Sequence, residues 1–163
     1  MPILMKIQSG LQMTQNLNDF LRTAMSKQYA TENGTKTHLL LQGVVVDDVN
    51  GNRGDEELVS AISNKPELKP FFAPNAKTEV PIASIIHGVF VSRRIDRLLI
   101  NDNDKTIVFM DYKTDLNPTE FYEKYKKQLA EYAELLRSAY PGYKIDGFIL
   151  WVHDRRLEKV VSV

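Results

Sequence analysis

The second half of the chain has the hydrophobic pattern of β-strands separated by polar turns. Three apolar runs of strand length occupy residues 78–86, 87–100 and 106–114. The polar turn Asn101–Lys105 separates the last two runs, which predicts an antiparallel hairpin. Two further strands are predicted at residues 145–152 and 157–163, joined by a charged turn.

A helix is predicted between the third and fourth strands. Asn117 has the character of an N-cap and Pro118 that of a first helical residue, and the helical pattern continues to about Ala139. Strands on both sides of this helix predict an α/β (α+β) protein with a mixed central sheet flanked by helices.

The first half of the chain is predicted to be mainly helical. Apolar residues at helical spacing predict a helix from Leu11 to about Ala30, with Asn33-Gly34 as its end. Residues 35–48 are compatible with either a buried helix or a strand. The remaining predictions are a loop over 50–54, a short helix over 55–64, and prolines at 66, 70 and 74 that interrupt the chain. We therefore expect one domain, with an N-terminal helical segment over 1–76 and a core over 77–163.

Composition excludes several kinds of chemistry. The 163 residues carry 21 basic and 21 acidic side chains, so net basicity is no argument for a nucleic-acid partner. The absence of cysteine excludes disulfides, thiolate zinc sites and iron–sulfur clusters. Because only three histidines are present, a metal site would rely on carboxylates, which favours Mg²⁺ or Mn²⁺. Without an apolar run of membrane-spanning length or a clear leader, we expect a cytoplasmic protein and no membrane partner.

The predicted strand over 106–114 ends in a pair of opposite charges. Asp111 and Lys113 lie two residues apart, on one face at the end of a strand that is apolar on both faces. Such charges must either pair with each other or bind something. A simple ion pair is the more frequent explanation, and Glu67-Leu68-Lys69 shows that the same spacing also occurs without a strand.

A second carboxylate is predicted close to this pair. Asp96 interrupts the preceding apolar strand, and pairing of the hairpin can bring it beside Asp111. Two neighbouring carboxylates repel each other unless a cation lies between them. With Lys113 alongside, the arrangement is that of a phosphodiester-hydrolysis site. The alternative is an ion pair between Asp96 and one of the nearby arginines, Arg93, Arg94 or Arg97.

The predicted helix over 118–139 adds a polar residue to this region. Gln128 interrupts the apolar stripe formed by Phe121, Tyr125, Tyr132, Leu135 and Ala139. It either has partners in the site or DNA, or lies at the edge of the stripe. Lysines at 124, 126 and 127 could follow a phosphate backbone, although such a face is usually just solvated. His38, beside three leucines, is by pattern alone more often a core residue than a metal ligand.

Together these segments resemble the RecB-family nuclease domain of the PD-(D/E)XK superfamily, and within it the C-terminal domain of AddA-type helicase–nucleases. The resemblance covers roughly residues 30–163. It is carried by Gly34-Thr-Lys-Thr-His38, Glu79-Val-Pro81, Arg94-Ile-Asp-Arg-Leu98, Asp111-Tyr-Lys-Thr114, and Gln128 with Tyr132. Ser92-Arg93-Arg94 stands where family members often have a glycine.

The resemblance implies a restriction-endonuclease-like fold and a set of site residues. It implies His38, Asp96, Asp111 and the main-chain carbonyl of Tyr112 as metal ligands, Lys113 as the catalytic lysine, and Gln128 and Tyr132 as supporting or DNA-contacting residues. Glu79 matches an acidic position of the family, and the resemblance leaves open whether it contacts metal. It also implies that His38 lies on a helix packed against the sheet.

The expected function is that of a Mg²⁺-dependent DNA exonuclease domain, with Mn²⁺ able to substitute, in double-strand break repair and recombination. The expected partners are DNA, the helicase domains of a longer parent chain, and a second helicase–nuclease subunit. The chain contains no G-x-x-x-x-G-K-[ST] motif and cannot itself drive a helicase with ATP. The alternative is an inactive nuclease-like domain that serves DNA binding or the assembly of subunits.

Overall fold

The computed structural model describes residue 32 and residues 34–163, and the chain divides into two compact units at residues 36 and 37. The predicted helix from Leu11 to Ala30 lies outside the described residues. Gly34, predicted to end that helix, has helical backbone itself, so this part of the prediction is wrong. All further description concerns the unit from Thr37 to Val163.

The centre of this unit is a five-stranded mixed sheet in which the strands lie in chain order. The strands are β1 (Lys77–Ile86), β2 (Val89–Asn101), β3 (Thr106–Lys113), β4 (Lys144–Trp151) and β5 (Arg156–Ser162). β3 and β4 pair in parallel, while the other three neighbouring pairs are antiparallel. The predicted order of strands and the predicted hairpin of β2 and β3 are confirmed.

Helices lie on both faces of the sheet. The first, α1, is helical over 37–42 in this unit, and it is followed by α2 (Glu56–Ser63), α3 (Lys69–Phe72) and α4 (Pro118–Ala139). The ambiguity over residues 35–48 is resolved in two parts, because the helix ends at residue 42 and Val45 then bridges to Arg53. None of the described helices combines the length and apolarity needed to cross a lipid bilayer.

The N-cap residues of α2 and α4 make different hydrogen bonds. Asp55 caps α2 as a helix N-cap does, since its side chain accepts a hydrogen bond from the Leu58 backbone N–H at 3.1 Å. Asn117 is the N-cap of α4 by position, but its side chain accepts from the Thr119 hydroxyl at 2.8 Å instead of from a helical N–H. α4 connects β3 to β4 and so provides the crossover that a parallel pair requires.

Two apolar cores hold the layers together. On one face, α4 buries Leu129, Tyr132, Ala133 and Leu136 against Ile95, Phe109 and neighbouring strand residues. On the other face, Leu41, Val44, Ile62 and Phe72 pack against Met110 and Tyr112 of β3. The helix that carries His38 is therefore packed against the sheet, as expected. β3 contributes to both cores, because its side chains alternate between the two faces of the sheet.

Candidate active site

β2 and β3 bring two acidic residues to the point where their pairing ends. The last paired residues are Arg97 and Met110, and continuation of this register places Asp96 opposite Asp111. The strands remain tied beyond that pair, because Asp96 Oδ2 accepts a hydrogen bond from the Tyr112 backbone N–H at 2.7 Å. Asp96 and Asp111 are only 7% and 4% exposed, so both carboxylates are largely withdrawn from water.

A histidine and two carboxylates meet at this end of the sheet. His38 of α1, Glu79 of β1 and Asp96 of β2 place one potential ligand atom each within 4.8 Å of one another. His38 Nδ1 lies 3.6 Å from Asp96 Oδ1. One nitrogen and two carboxylate oxygens form a donor set that suits a divalent cation. Asp111 lies outside this group of three.

Glu79 reaches the group through an unusual backbone conformation. The register of Thr78 with Arg97 and of Val80 with Ile95 leaves Glu79 opposite Asp96. Its φ is +51°, a left-handed value that is uncommon for a residue other than glycine and rare inside a strand. Strained backbone of this kind is concentrated at functional sites.

Electrostatics couple the members of the site. The carboxylate of Asp96 raises the pKa of His38 above its ordinary value, against the opposing effect of partial burial. Burial raises the pKa of Asp111 to about 6, even though the Lys113 ammonium acts in the other direction, and the nearby Asp96 charge raises it further. Burial and the charges of neighbouring groups thus act together on His38 and Asp111.

Asp111 and Lys113 form a close ion pair, with 2.5 Å between Asp111 Oδ2 and Lys113 Nζ. The strand-end ion pair considered from sequence is therefore present. Its geometry is imperfect, because the buried Oδ2 accepts no well-formed hydrogen bond. A buried carboxylate oxygen in this condition has capacity left for a further cation.

Three side chains contact the Lys113 ammonium, namely Asp111, Gln128 and Tyr125. Its ammonium donates to Gln128 Oε1 at 2.9 Å and lies 4.2 Å from the centre of the Tyr125 ring. Gln128 in turn donates through Nε2 to the Tyr132 hydroxyl at 2.6 Å. Gln128, the polar residue in the apolar stripe of α4, thus connects Lys113 with Tyr132. This arrangement leaves Lys113 paired in the structure.

The arginines near Asp96 have other partners. Arg93 pairs with Glu131 at 2.9 Å, and Arg94 with Glu79 at 3.3 Å. Arg97 is 1% exposed and directs its guanidinium at the end of α1. Within the described part of the chain, no arginine forms an ion pair with Asp96, so that alternative is wrong.

Sequence reasoning considered Arg97 only as an ion-pair partner of Asp96 and missed its role in the structure. It donates to the carbonyl oxygens of Leu41 and Val44 at 2.5 and 2.9 Å, and to the Tyr112 hydroxyl at 2.7 Å. Its guanidinium also lies 4.3 Å from the centre of the Phe72 ring. The helix that presents His38 is thereby fastened to the strands that present Asp96 and Asp111. The sequence signal was a charged residue directly before the apolar run Leu98-Leu99-Ile100 of β2.

The other residues with predicted roles are Tyr112 and the lysines on the outer face of α4. The backbone N–H of Tyr112 donates a hydrogen bond to Asp96, and the residue is buried. On the outer face of α4, Lys126 pairs with Glu123 at 3.3 Å and lies over the Tyr122 ring. Lys124 and Lys127 are exposed. A metal-binding role for the Tyr112 carbonyl and a DNA role for these lysines stay predictions.

Comparison with known proteins gives sequence relatives of one kind, the A subunits of bacterial ATP-dependent helicase/nucleases. The chain is 41% identical over 68 residues to the A subunit from Streptococcus agalactiae, covering 40% of the chain. The match to the A subunit from Streptococcus uberis is 41% over 89 residues, or 53% of the chain. For the A subunit from Leuconostoc mesenteroides, identity is 25% over 178 aligned positions, covering 79% of the chain.

These matches cover only a small part of each relative. The aligned segment amounts to 6% of the two streptococcal subunits and 14% of the Leuconostoc subunit. No protein-family model matches the chain. The chain is thus related in sequence to part of the helicase/nuclease A subunits, and the activity of those whole proteins is not thereby assigned to it.

Proposed function

We propose that this chain is a metal-dependent DNA nuclease domain of the restriction-endonuclease-like, PD-(D/E)XK type. The observation that carries the proposal is the meeting of His38, Glu79 and Asp96 within 4.8 Å, beside the buried pair of Asp111 and Lys113. Catalytic sites are places where burial and neighbouring charges perturb acidic groups, as they do for Asp111. The similarity to helicase/nuclease subunits supports the same assignment.

The residues present fit a divalent cation. His38, Asp96 and Glu79 offer ligand atoms close enough to share one ion, and Asp111 lies opposite Asp96 on the neighbouring strand. We propose Mg²⁺, with Mn²⁺ as a substitute, bound by His38, Asp96, Asp111 and the Tyr112 carbonyl, with Glu79 as a further ligand. When bound, the ion supplies charge stabilisation at the phosphate and acidifies a water molecule.

Lys113 is proposed to act on the phosphate. Its ammonium is positioned beside Asp111 and away from bulk water, where its charge is weakly screened. It would exchange the contact with Asp111 for a phosphoryl oxygen and stabilise the negative charge that develops there, or help to remove a proton from the attacking water. Gln128 and Tyr132 would hold the lysine in place during this exchange.

The wider context of the proposal follows from the relatives. Their name combines an ATP-dependent helicase with a nuclease, and this chain matches only a small part of their length. We propose that it acts as an exonuclease in double-strand break repair and recombination. Its proposed partners are DNA, helicase domains of a longer parent chain, and a second helicase–nuclease subunit.

The decisive experiment compares cleavage by purified variants with a matched control. Asp111→Asn and Lys113→Ala are each expected to lower Mg²⁺-dependent cleavage of labelled DNA by at least about 100-fold. Lys69→Ala is the control, because Glu67-Leu68-Lys69 has the same acid–lysine spacing but does not lie on a strand. Circular dichroism verifies that each variant is folded. Unchanged cleavage by a folded Lys113→Ala protein would refute the catalytic role.

Calorimetry separates the nuclease from the inactive alternative. The wild-type chain is expected to bind Mn²⁺ saturably, and Asp96→Asn and Glu79→Gln to weaken that binding. Saturable DNA binding without metal binding or cleavage would support an inactive DNA-binding domain instead. Absence of both metal and DNA binding would contradict the nuclease and the DNA-binding domain, and would favour an inactive domain that serves the assembly of subunits.

A further inference from the structure

The strands β1 and β2 extend beyond the rest of the sheet as a two-stranded ribbon. β2 pairs with β3 only from Arg97 to Asn101, whereas its pairing with β1 continues to Val89. The ribbon closes in a tight turn at His87 and Gly88, whose φ values of +50° and +80° are those of a hairpin turn. The ribbon therefore begins at the candidate active site and ends at a tip remote from the sheet.

One face of this ribbon is covered by α4. The hydroxyl groups of Ser84 and Ser138 lie 2.9 Å apart, and Arg93 makes two hydrogen bonds with Glu131 at 2.9 and 3.0 Å. Because side chains alternate along a strand, the neighbouring positions point away from α4. Contacts with α4 thus hold one face of the ribbon rigidly, and its other face is exposed.

The exposed face consists of three cross-strand pairs. They are Pro81 with Arg94, Ala83 with Ser92, and Ile85 with Phe90. All six residues are exposed, and at the tip Ile85 and Phe90 are 69% and 72% exposed. The middle of this face carries only the small side chains of Ala83 and Ser92. Arg94 lies at one end of the face, and the exposed ring of Phe90 lies at the other.

This face is continuous with the candidate metal group. Arg94 Nη1 lies 3.3 Å from Glu79 Oε2, and Glu79 is one of the three residues that meet around the proposed cation. From Asp96 to Phe90 the strand advances by six residues, or about 20 Å at 3.3 Å each. At about 3.4 Å per stacked nucleotide, this is the length of roughly six nucleotides.

The chemistry of the face matches single-stranded nucleic acid. Binding of single strands combines a cationic group that contacts phosphates with aromatic side chains on which bases stack. Arg94 and Phe90 supply one of each, and the described ribbon has no acidic residue on this face between Glu79 and the tip. A duplex is about 20 Å wide and stiff, so it could not follow a narrow ribbon in the same way.

We propose that the exposed face of the β1–β2 ribbon is a track for single-stranded DNA, with a base stacked on Phe90 and a phosphate paired with Arg94. The track leads the strand to the cation group formed by His38, Glu79 and Asp96. This inference rests on the proposed nuclease function and assigns a binding surface for its DNA to the β1–β2 ribbon.

The test measures binding of fluorescein-labelled oligothymidylate to the full chain in EDTA, by fluorescence anisotropy. Phe90→Ala is expected to weaken the binding of a 12-nucleotide strand by about 5- to 100-fold, as for loss of one base–aromatic stack. Val89→Ser is the matched control, since Val89 is a neighbour on the opposite face that is 62% exposed, against 72% for Phe90. Arg94→Gln is expected to reduce the slope of log K against log salt by about 0.7.

A second measurement detects the stack directly. Phe90→Trp is expected to retain the binding affinity, and its tryptophan fluorescence should be quenched by the single strand. Trp151, the one natural tryptophan, is 1% exposed and gives a constant background. A duplex of the same length is expected to quench the fluorescence much less.

The outcomes distinguish this inference from the function on which it rests. Wild-type affinity in Phe90→Ala, in a chain that binds and cleaves DNA, would overturn the track and leave the nuclease intact. Equal binding of duplex and single strand would also overturn it. Loss of self-association in Phe90→Ala, with unchanged DNA affinity, would assign the tip to contact with a second copy. A wild-type chain that neither binds nor cleaves DNA would contradict the proposed function itself.

Discussion

Lys113 shows how a single polar side chain on a helix determines the geometry of a charge on a strand. Gln128 accepts a hydrogen bond from Lys113 and donates one to Tyr132, so its amide has a partner at each end. The Tyr132 hydroxyl is in turn fixed by the packing of its ring against Phe109. The position of the ammonium therefore depends on α4 as well as on β3.

The first prediction concerns this positioning role. Gln128→Ala removes the acceptor for Lys113 without removing the charge, and we expect kcat for DNA cleavage to fall about 10-fold with little change in KM. Gln128→Glu, which keeps an acceptor at the same place, is expected to recover part of the loss. Arg137→Ala, at the exposed far end of α4, serves as the control. A rise in KM with constant kcat would place Gln128 in DNA binding instead.

At the scale of elements, α1 is joined to the sheet by Arg97. The last carbonyl groups of a helix lack partners within the helix and carry partial negative charge. The Arg97 guanidinium satisfies two carbonyl oxygens at and just beyond the end of α1, those of Leu41 and Val44, from a fully buried position. Within the described residues, it forms no ion pair with a carboxylate. Its charge is stabilised by backbone dipoles, the Tyr112 hydroxyl and the Phe72 ring.

The second prediction follows from this junction. Arg97→Met keeps most of the apolar stem but removes the hydrogen bonds of the guanidinium to the Leu41 and Val44 carbonyls and to the Tyr112 hydroxyl, so we expect the free energy of unfolding to fall by about 3 kcal/mol or more. Arg97→Lys should lose less, because it retains the charge. Urea denaturation measures the change, and hydrogen exchange should show faster exchange in α1 in particular. Arg93→Met, which breaks an exposed ion pair, should cost less than about 1 kcal/mol.

The third prediction concerns the β4–β5 edge of the sheet. Although burial acts in the opposite direction, hydrogen bonds from Ser162 and Lys159 hold the pKa of Asp146 below its ordinary value. The ionised form is thus favoured by folding, so this stabilisation is present above the unfolded pKa and is lost as pH falls through the folded pKa.

Asp146→Asn should therefore reduce stability at pH 7 and have little effect near pH 2. Thermal unfolding of the wild type and the variant at both pH values measures the difference. Asp154→Asn, in the exposed turn before β5, is the control. A destabilisation of the same size at both pH values would show that the charge of Asp146 has no part in it.

For the whole molecule, both apolar cores lie within residues 37–163. This leads to the fourth prediction, that a chain beginning at Thr37 folds by itself and unfolds in one cooperative transition. Its melting temperature should lie within about 5 °C of that of the full chain, equivalent to roughly 1 kcal/mol. Near-UV circular dichroism monitors the tertiary packing. Loss of that spectrum would show that residues 1–36 are required for the fold.

The charge of the whole molecule also limits how it can bind DNA. Equal numbers of basic and acidic residues provide no net attraction to phosphates, so affinity must come from local groups such as Arg94 and from any bound cation. We therefore expect any binding of DNA by this chain to be weak and confined to those local groups.

Much of the architecture could be predicted from sequence because its causes are local. Alternation and apolar runs fixed the strands, Asn117 and Pro118 marked the start of α4, and the short turn before Thr106 brought Asp96 opposite Asp111. The assignment of residues 35–48 could not be made in this way, because a short apolar run fits a helix and a strand equally well. The resemblance, and not the pattern, predicted that His38 lies on a helix.

By itself, the sequence determined the order of the elements and the positions of Asp96, Asp111 and Lys113 on neighbouring strands, because these depend on periodicity and on the length of one turn. Only the tertiary structure decided which groups meet. Glu79, rather than Asp111, joins His38 and Asp96 at close range, because the pairing of β1 with β2 sets Glu79 opposite Asp96. Arg97 reaches the end of α1 instead of Asp96, because packing brings together residues more than fifty positions apart, and spacing along the chain carries no information about such contacts.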